Sequence, residues 1–123
     1  MKHSQLYVFL FLLTLVPGAA PADPARIEAA TARNDGAGNW TFSVTLSHGD
    51  TGWDDYADGW RVVDGAGSEL GMRTLFHPHV EEQPFTRSLS SVAIPQGTTR
   101  VYVEARTNAD GWGAERFPVD LPN

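Results

Sequence analysis

Two histidines separated by one residue are the first feature of this sequence that could do chemistry. Pro78 lies between His77 and His79 and favours an extended backbone at His77, and in an extended segment residues i and i+2 point to the same side. Two imidazoles on one side can chelate Zn²⁺ or Cu²⁺, with His48 or the Asp55 carboxylate completing the shell. These four residues are therefore candidate ligands of zinc or copper(II). The alternative is that one histidine packs under its loop and the other is hydrated.

A group of aspartates offers a second kind of cation site. Asp50, Asp54, Asp55 and Asp58 lie within one short stretch, and Ca²⁺ prefers about six to eight oxygen ligands. Their spacing does not match that of a calcium-binding EF-hand loop, so calcium is less expected than zinc or copper. In the alternative interpretation these aspartates make turns, as in Asp58-Gly59.

Large aromatic residues near these polar groups indicate a recognition surface. Trp53, Tyr56 and Trp112 fall outside the strand pattern, where aromatic rings serve as platforms for sugars or peptide side chains. The alternative is that Trp53 and Trp112 pack against each other and hold their loops together. The candidate ligand-binding residues are Trp53, Tyr56, Asp58, Glu81, Asp110 and Trp112.

Composition excludes several classes of function. The chain has no cysteine, which excludes thiol catalysis, disulfides, thiolate metal sites and a lipid-modified cysteine. It has no lysine after Lys2, which excludes Schiff-base chemistry, and no phosphate-binding loop or Gly-x-Ser-x-Gly motif. A net charge of −6 argues against nucleic acid and anionic membranes as partners. We therefore expect a protein without enzymatic activity.

The beginning of the chain has the pattern of an export signal. Lys2 is followed by an apolar run over residues 6–16 and by Ala20-Pro21-Ala22, a form that signal peptidases accept. The run is shorter than the about 20 residues that cross a bilayer. We predict a signal peptide at 1–22, a domain at 23–123, a periplasmic or extracellular location, no membrane span after cleavage, and a monomer.

Alternating hydrophobicity predicts the elements that must position these residues. Between Trp40 and Ser47 every even position is large and apolar and every odd one carries a hydroxyl, as in a strand with one dry face. Weaker strand patterns, with turn signals between them, cover residues 26–31, 59–63, 70–77, 85–94, 99–106 and 116–121.

The pattern as a whole favours an all-β fold, an immunoglobulin-like two-layer antiparallel sandwich of about seven strands. The residues expected to fill its core are Trp40, Phe42, Trp60, Phe76, Phe85 and Val103. Greek-key order would bring the loops at 48–58, 77–84 and 107–113 to one end. That arrangement would gather the candidate residues into one rim.

The sequence also resembles known proteins in two ways. Trp60 and Tyr102 lie where immunoglobulin-like and fibronectin-type sandwiches often carry a core tryptophan and a corner tyrosine. The strings WDDYADGW (53–60) and HPHVEEQPFTRS (77–88) resemble a family of short exported bacterial proteins. That resemblance implies export and supplies no reaction.

Two functions fit these observations. The first is an exported binding protein with a polar loop rim, whose specific form coordinates a divalent metal ion. The second is a structural or adhesive module of the cell envelope that recognises a glycan or another envelope protein through its loop aromatics.

Overall fold

Residues 23–122 are described by the computed structural model, so the predicted signal peptide at 1–22 lies outside the described residues. Within that range the chain forms eight strands and no helix, which confirms the all-β prediction. The strands are β1 (Arg26–Gly36), β2 (Asn39–Ser47), β3 (Ala57–Val63), β4 (Glu69–Thr74), β5 (Phe85–Ala93), β6 (Arg100–Thr107), β7 (Gly111–Trp112) and β8 (Phe117–Asp120). Between residues 23 and 122 no helix is long and apolar enough to cross a membrane.

Strand β2 shows most directly how the sequence builds the sandwich. Its even positions, from Trp40 to Leu46, are buried, and the hydroxyl residues between them are half-buried on the opposite face. Successive side chains of a strand point to opposite faces of the sheet, so this alternation places one face of β2 in the core.

The strands form two antiparallel sheets that pack face to face. One sheet has the order β1-β2-β5, and the other has the order β4-β3-β6 with β7 and β8 both pairing with β6. The core between them includes Trp60, which is fully buried at the position where the resemblance places a core tryptophan. The predicted two-layer sandwich is confirmed, and the two-residue strand β7 is an addition to it.

One predicted core residue is on the surface. Phe76 is 75% exposed, whereas Trp40, Phe42, Trp60, Phe85 and Val103 are all buried as expected. The predicted fourth strand runs to His77, but β4 ends at Thr74. Leu75 then fills the core and donates its N–H to the Asp58 carbonyl, and the chain leaves the sheet after it. The prediction for Phe76 was wrong because the strand alternation does not continue that far.

The residues Asn34-Asp35-Gly36, whose types are typical of turns, belong to strand β1. β1 continues through Gly36, and the two turn residues are Ala37 and Gly38, with φ of 56° and 79°. Positive φ at both central residues is typical of the tight hairpin turn whose twist matches that of the strands. This turn lies at the end of the sandwich opposite the predicted rim.

Candidate functional site

Three loops meet at one end of the sandwich, as the sequence predicts. We call this end the loop rim and define it as residues 48–56, 75–84 and 108–110, which follow β2, β4 and β6. Asn108 joins the first and third loops, because its side chain donates to the Trp53 carbonyl at 2.8 Å and accepts the Tyr56 N–H at 2.8 Å. Gln83 joins the first and second loops by accepting the His48 N–H at 2.9 Å. The loop rim is therefore connected by hydrogen bonds.

Asp50 is the buried centre of the loop rim. Its Oδ1 accepts from the His48 ring at 2.6 Å and from the Ala57 N–H at 3.0 Å. Its Oδ2 accepts the His79 N–H at 2.8 Å. The Asp50 side chain has no exposed surface, so each of these bonds is protected from water. One carboxylate thus fastens β3 and the loop after β4 to the loop after β2.

His48 is a buried positively charged partner of Asp50. Its Nδ1 faces the Asp50 carboxylate, and its Nε2 lies 2.8 Å from the Asp23 carbonyl oxygen. Both ring nitrogens meet oxygen acceptors, so both must carry a proton. Burial by itself lowers the pKa of His48, but the bonds to Asp50 and Asp23 and the negative charges of both residues outweigh burial and raise that pKa above 6.5. An imidazolium of this kind has no lone pair for a metal ion.

His79 is buried in the opposite protonation state. Its Nε2 lies 3.0 Å from an Arg87 guanidinium nitrogen, which can only donate, so the ring nitrogen accepts and the imidazole is neutral. The ring stacks on Phe85 with centroids 3.9 Å apart. Burial, together with the positive charges of Arg87 and His77, lowers the pKa of His79 below 6.5, against the opposing charges of Glu82 and Asp50. His79 Nδ1 is buried and has no hydrogen-bond partner among residues 23–122.

The four predicted metal ligands therefore lie in two separate environments. Asp55 Oδ1 is 3.7 Å from His48 Nε2, a nitrogen already bonded to Asp23. The rings of His77 and His79 are neighbours, with centroids 4.6 Å apart, and His77 is exposed. In the described range, 23–122, no group of three or more histidine, aspartate or glutamate side chains is arranged to hold a metal ion.

The predicted aromatic residues have different surroundings. Trp53 is 66% exposed and packs edge-on against Tyr56, with ring centroids 5.6 Å apart. Trp112 is half-buried in β7 and packs under the Arg61 guanidinium, whose carbon lies 3.8 Å from the ring centroid. Arg106 approaches the same ring from 5.5 Å. Trp112 thus packs against arginines rather than against Trp53, and Trp53 is the exposed platform.

The predicted ligand-binding carboxylates also separate into two groups. Asp58 is engaged in an ion pair with Arg106 at 2.9 Å and supports the sheet. Glu81 and Asp110 are exposed, as is Asp54, which the sequence suggested only for calcium. The exposed carboxylates of the loop rim are thus available to a partner.

Several residues that shape the loop rim were not predicted from the sequence. Asp23 and Arg87 hold the two buried histidines, and neither has a local motif that identifies it. Phe76 and Val80 are exposed by 75% and 54% on the loop after β4. Their positions on either side of a His-Pro-His turn were the one available signal, since proline ends regular strand pairing.

Comparison with known proteins gives one relevant similarity. The chain is 42% identical over 96 residues to a protein named "Putative lipoprotein" from Halomicrobium mukohataei, an alignment that covers 78% of this chain and 47% of that protein. The chain thus spans about half the length of the curated relative that it matches. No family model matches the chain. No solved structure matches it either.

Proposed function

We propose that this chain is an exported interaction module of the cell envelope that binds a cationic segment of another protein through the loop rim. An export signal is predicted at residues 1–22, and the similar protein from Halomicrobium mukohataei carries the name of a lipoprotein, a class of envelope protein. Both support a location in the envelope, periplasmic or extracellular. The β-sandwich is a common framework for recognition modules, which is an analogy from fold.

The observation that carries the proposal is a set of large apolar side chains exposed on loops that are joined by hydrogen bonds. Trp53, Phe76 and Val80, which we call the rim apolar residues, are 66%, 75% and 54% exposed. Burying one such side chain contributes about 1.5–3 kcal/mol, so a partner that covers them would gain binding free energy. The loops that carry them are tied to the buried Asp50, which limits the ordering cost of binding.

Charge favours a cationic polypeptide as that partner. Asp54 follows Trp53 in the chain, Glu81 follows Val80, and both carboxylates are exposed. Aromatic and aliphatic anchors surrounded by charged groups are typical of protein interfaces, in which complementary charge speeds and orients association. A partner with lysine or arginine between apolar residues would match this surface.

The metal-binding form of the function receives less support from the described geometry. His48 donates from both ring nitrogens, and the remaining candidate ligands do not gather into a group of three within residues 23–122. Zinc or copper(II) could use His48 as a ligand only by displacing the buried His48–Asp50 pair. Calcium would find Asp50 already used by three hydrogen bonds.

The proposal is tested with two labelled peptides of equal apolar content, one alternating lysine with leucine and the other alternating glutamate with leucine. We expect the lysine peptide to bind with an affinity that falls as salt rises, and the glutamate peptide not to bind. Replacing Trp53 and Phe76 with serine should weaken binding at least about tenfold, since about 1.4 kcal/mol corresponds to a factor of ten.

A matched control comes from the sheet surface. Met72 is also exposed, at 36%, but lies in β4 outside the loop rim, so Met72→Ser should leave the affinity unchanged. Equal loss from Met72→Ser and from the Trp53/Phe76 double variant would show non-specific apolar binding and would overturn the proposal. Equal binding of the two peptides would overturn its choice of a cationic partner.

A further inference from the structure

The end of the sandwich opposite the loop rim contains a cleft of about 700 Å³. It lies where three parts of the chain meet, namely the turn between β1 and β2, the loop between β5 and β6, and the tail after β8. Small-molecule sites are typically clefts of about 300–1,000 Å³, so this volume is in the range of a ligand site.

The walls of this cleft are held in place by backbone hydrogen bonds. The Ile94 N–H donates to the Gly38 carbonyl at 3.0 Å, which joins the end of β5 to the β1–β2 turn. The Leu121 N–H donates to the Thr99 carbonyl at 2.9 Å, which joins the tail to the start of β6. The cleft is thus formed before any ligand arrives, which reduces the entropy lost on binding.

The side chains that line the cleft are either apolar or polar without a charge. Trp40, Ile94 and Leu121 form its apolar part, and Asn34, Gln96 and Thr99 contribute amide and hydroxyl groups. Asn34 uses its side-chain oxygen to accept the Gly36 N–H at 2.9 Å, which leaves its amide nitrogen as a donor for a ligand. The lining thus combines apolar surface with donors and acceptors that carry no charge.

Among residues 23–122, none that lines the cleft has an ionisable side chain. The charged residues next to the lining in the chain are already paired, Asp35 with Arg33 at 2.9 Å and Arg100 with Asp120 at 2.7 Å. A charged ligand would lose hydration here without gaining an opposite charge. The chemistry of the cleft therefore selects an uncharged ligand.

We infer that this cleft binds a neutral saccharide. A sugar ring has hydroxyl groups for Asn34, Gln96 and Thr99, and its apolar C–H groups can pack against Pro95 and the small accessible part of Trp40, whose ring is otherwise buried in the core. The inference is independent of the proposed function, since the loop rim lies at the other end of the molecule. If both sites operate, one module joins a glycan to a protein.

The test is a titration of the isotope-labelled protein with neutral and with charged oligosaccharides, followed by backbone amide NMR shifts. The neutral set contains oligomers of glucose, mannose, galactose and N-acetylglucosamine, and the charged set contains uronic-acid and glucosamine oligomers. We expect at least one neutral oligomer to shift the amides of Gly38 and of residues 96–99, with no shift in residues 48–56, and the charged set to have no effect.

Two substitutions that add the same charge at opposite ends make the test specific. Gln96→Glu places a carboxylate in the cleft and should weaken saccharide binding at least tenfold, whereas Thr51→Glu adds it to the loop rim and should change nothing. Both residues are exposed, and neither side chain makes a hydrogen bond with residues 23–122, so folding should be unaffected. The inference is overturned if no neutral oligomer shifts the cleft amides, if charged oligomers bind equally well, or if Gln96→Glu leaves the affinity unchanged.

Discussion

Replacing Asp50 with asparagine tests whether the loop rim depends on one buried carboxylate. The substitution keeps the size of the side chain, removes its charge and turns one oxygen into a donor. In one orientation the new amide nitrogen faces the His48 ring and the Ala57 N–H. In the other orientation it faces the His79 N–H. At least one buried donor therefore loses its acceptor in either orientation.

The expected loss of stability is large for a single isosteric change. Asp50 and His48 form a hydrogen-bonded pair at 2.6 Å with both side chains fully buried. Removing one partner of such a pair costs about 3–5 kcal/mol, because the other charge remains buried without compensation. Domains have a free energy of unfolding of about 5–15 kcal/mol, so Asp50→Asn should remove a large share of it.

Denaturant unfolding followed by tryptophan fluorescence measures this loss, with the free energy extrapolated linearly to water. The measurement should be made at about pH 6, because below pH 6.5 His48 is charged in both the folded and the unfolded chain. Asp120→Asn is the matched control, since Asp120 is 74% exposed in its pair with Arg100, so that water screens the pair and its loss should have little effect on stability.

The dependence of the unfolding free energy on pH provides the result that could refute this prediction. The pKa of His48 is raised in the folded protein. The stabilisation that His48 contributes is therefore fully present below pH 6.5 and is lost as the pH rises through the pKa of the folded state. The difference in stability between the wild-type protein and Asp50→Asn should therefore shrink with rising pH, without vanishing, because Asp50 still accepts two backbone N–H groups. A loss below about 1 kcal/mol at pH 6, or a difference that does not change with pH, would refute the reasoning.

Three further predictions concern the other features of the fold. The pKa of His79 is lowered, so its contribution to stability is complete above pH 6.5 and is lost as the pH falls through the pKa of the folded state. His79→Phe should therefore reduce the loss of unfolding free energy below pH 6.5, measured by denaturant unfolding at a series of pH values. Gly59→Ala should destabilise the protein by about 1–3 kcal/mol, since the added Cβ would lie 3.2 Å from the Arg73 carbonyl, and an unchanged denaturation midpoint would contradict this. Phe76→Ser should change the unfolding free energy by less than about 0.5 kcal/mol, because the ring is 75% exposed, and a larger loss would mean that Phe76 belongs to the core.

The sandwich could be predicted because its strands have a strong local signal. Along β2 the alternation of large apolar and hydroxyl residues specifies both the strand and the face that is buried. The end of β4 could not be predicted in this way, because Leu75 and Phe76 are both large and apolar while only Leu75 is buried. Which of two such neighbours enters the core is decided by strand pairing, here by the bond from Leu75 to Asp58.

The residue types of the loop rim were predictable, but their roles were not. His48, His77 and His79 were candidate ligands of one metal ion, with the alternative that one histidine of the His-Pro-His segment packs under its loop and the other is hydrated. The fold makes His48 a charged partner of Asp50, makes His79 a neutral acceptor for Arg87, and leaves His77 exposed. These differences depend on neighbours that are far away in the chain, and side-chain spacing carries no information about them.

From the sequence by itself follow the all-β class, the two-layer arrangement and the meeting of three polar loops at one end, because side-chain alternation and turn residues act over short distances. Tertiary structure alone determined which polar groups are consumed in holding the loops and which remain on the surface. The physical reason is desolvation: a buried carboxylate such as Asp50 must be matched by donors, and those donors come from segments that only folding brings together.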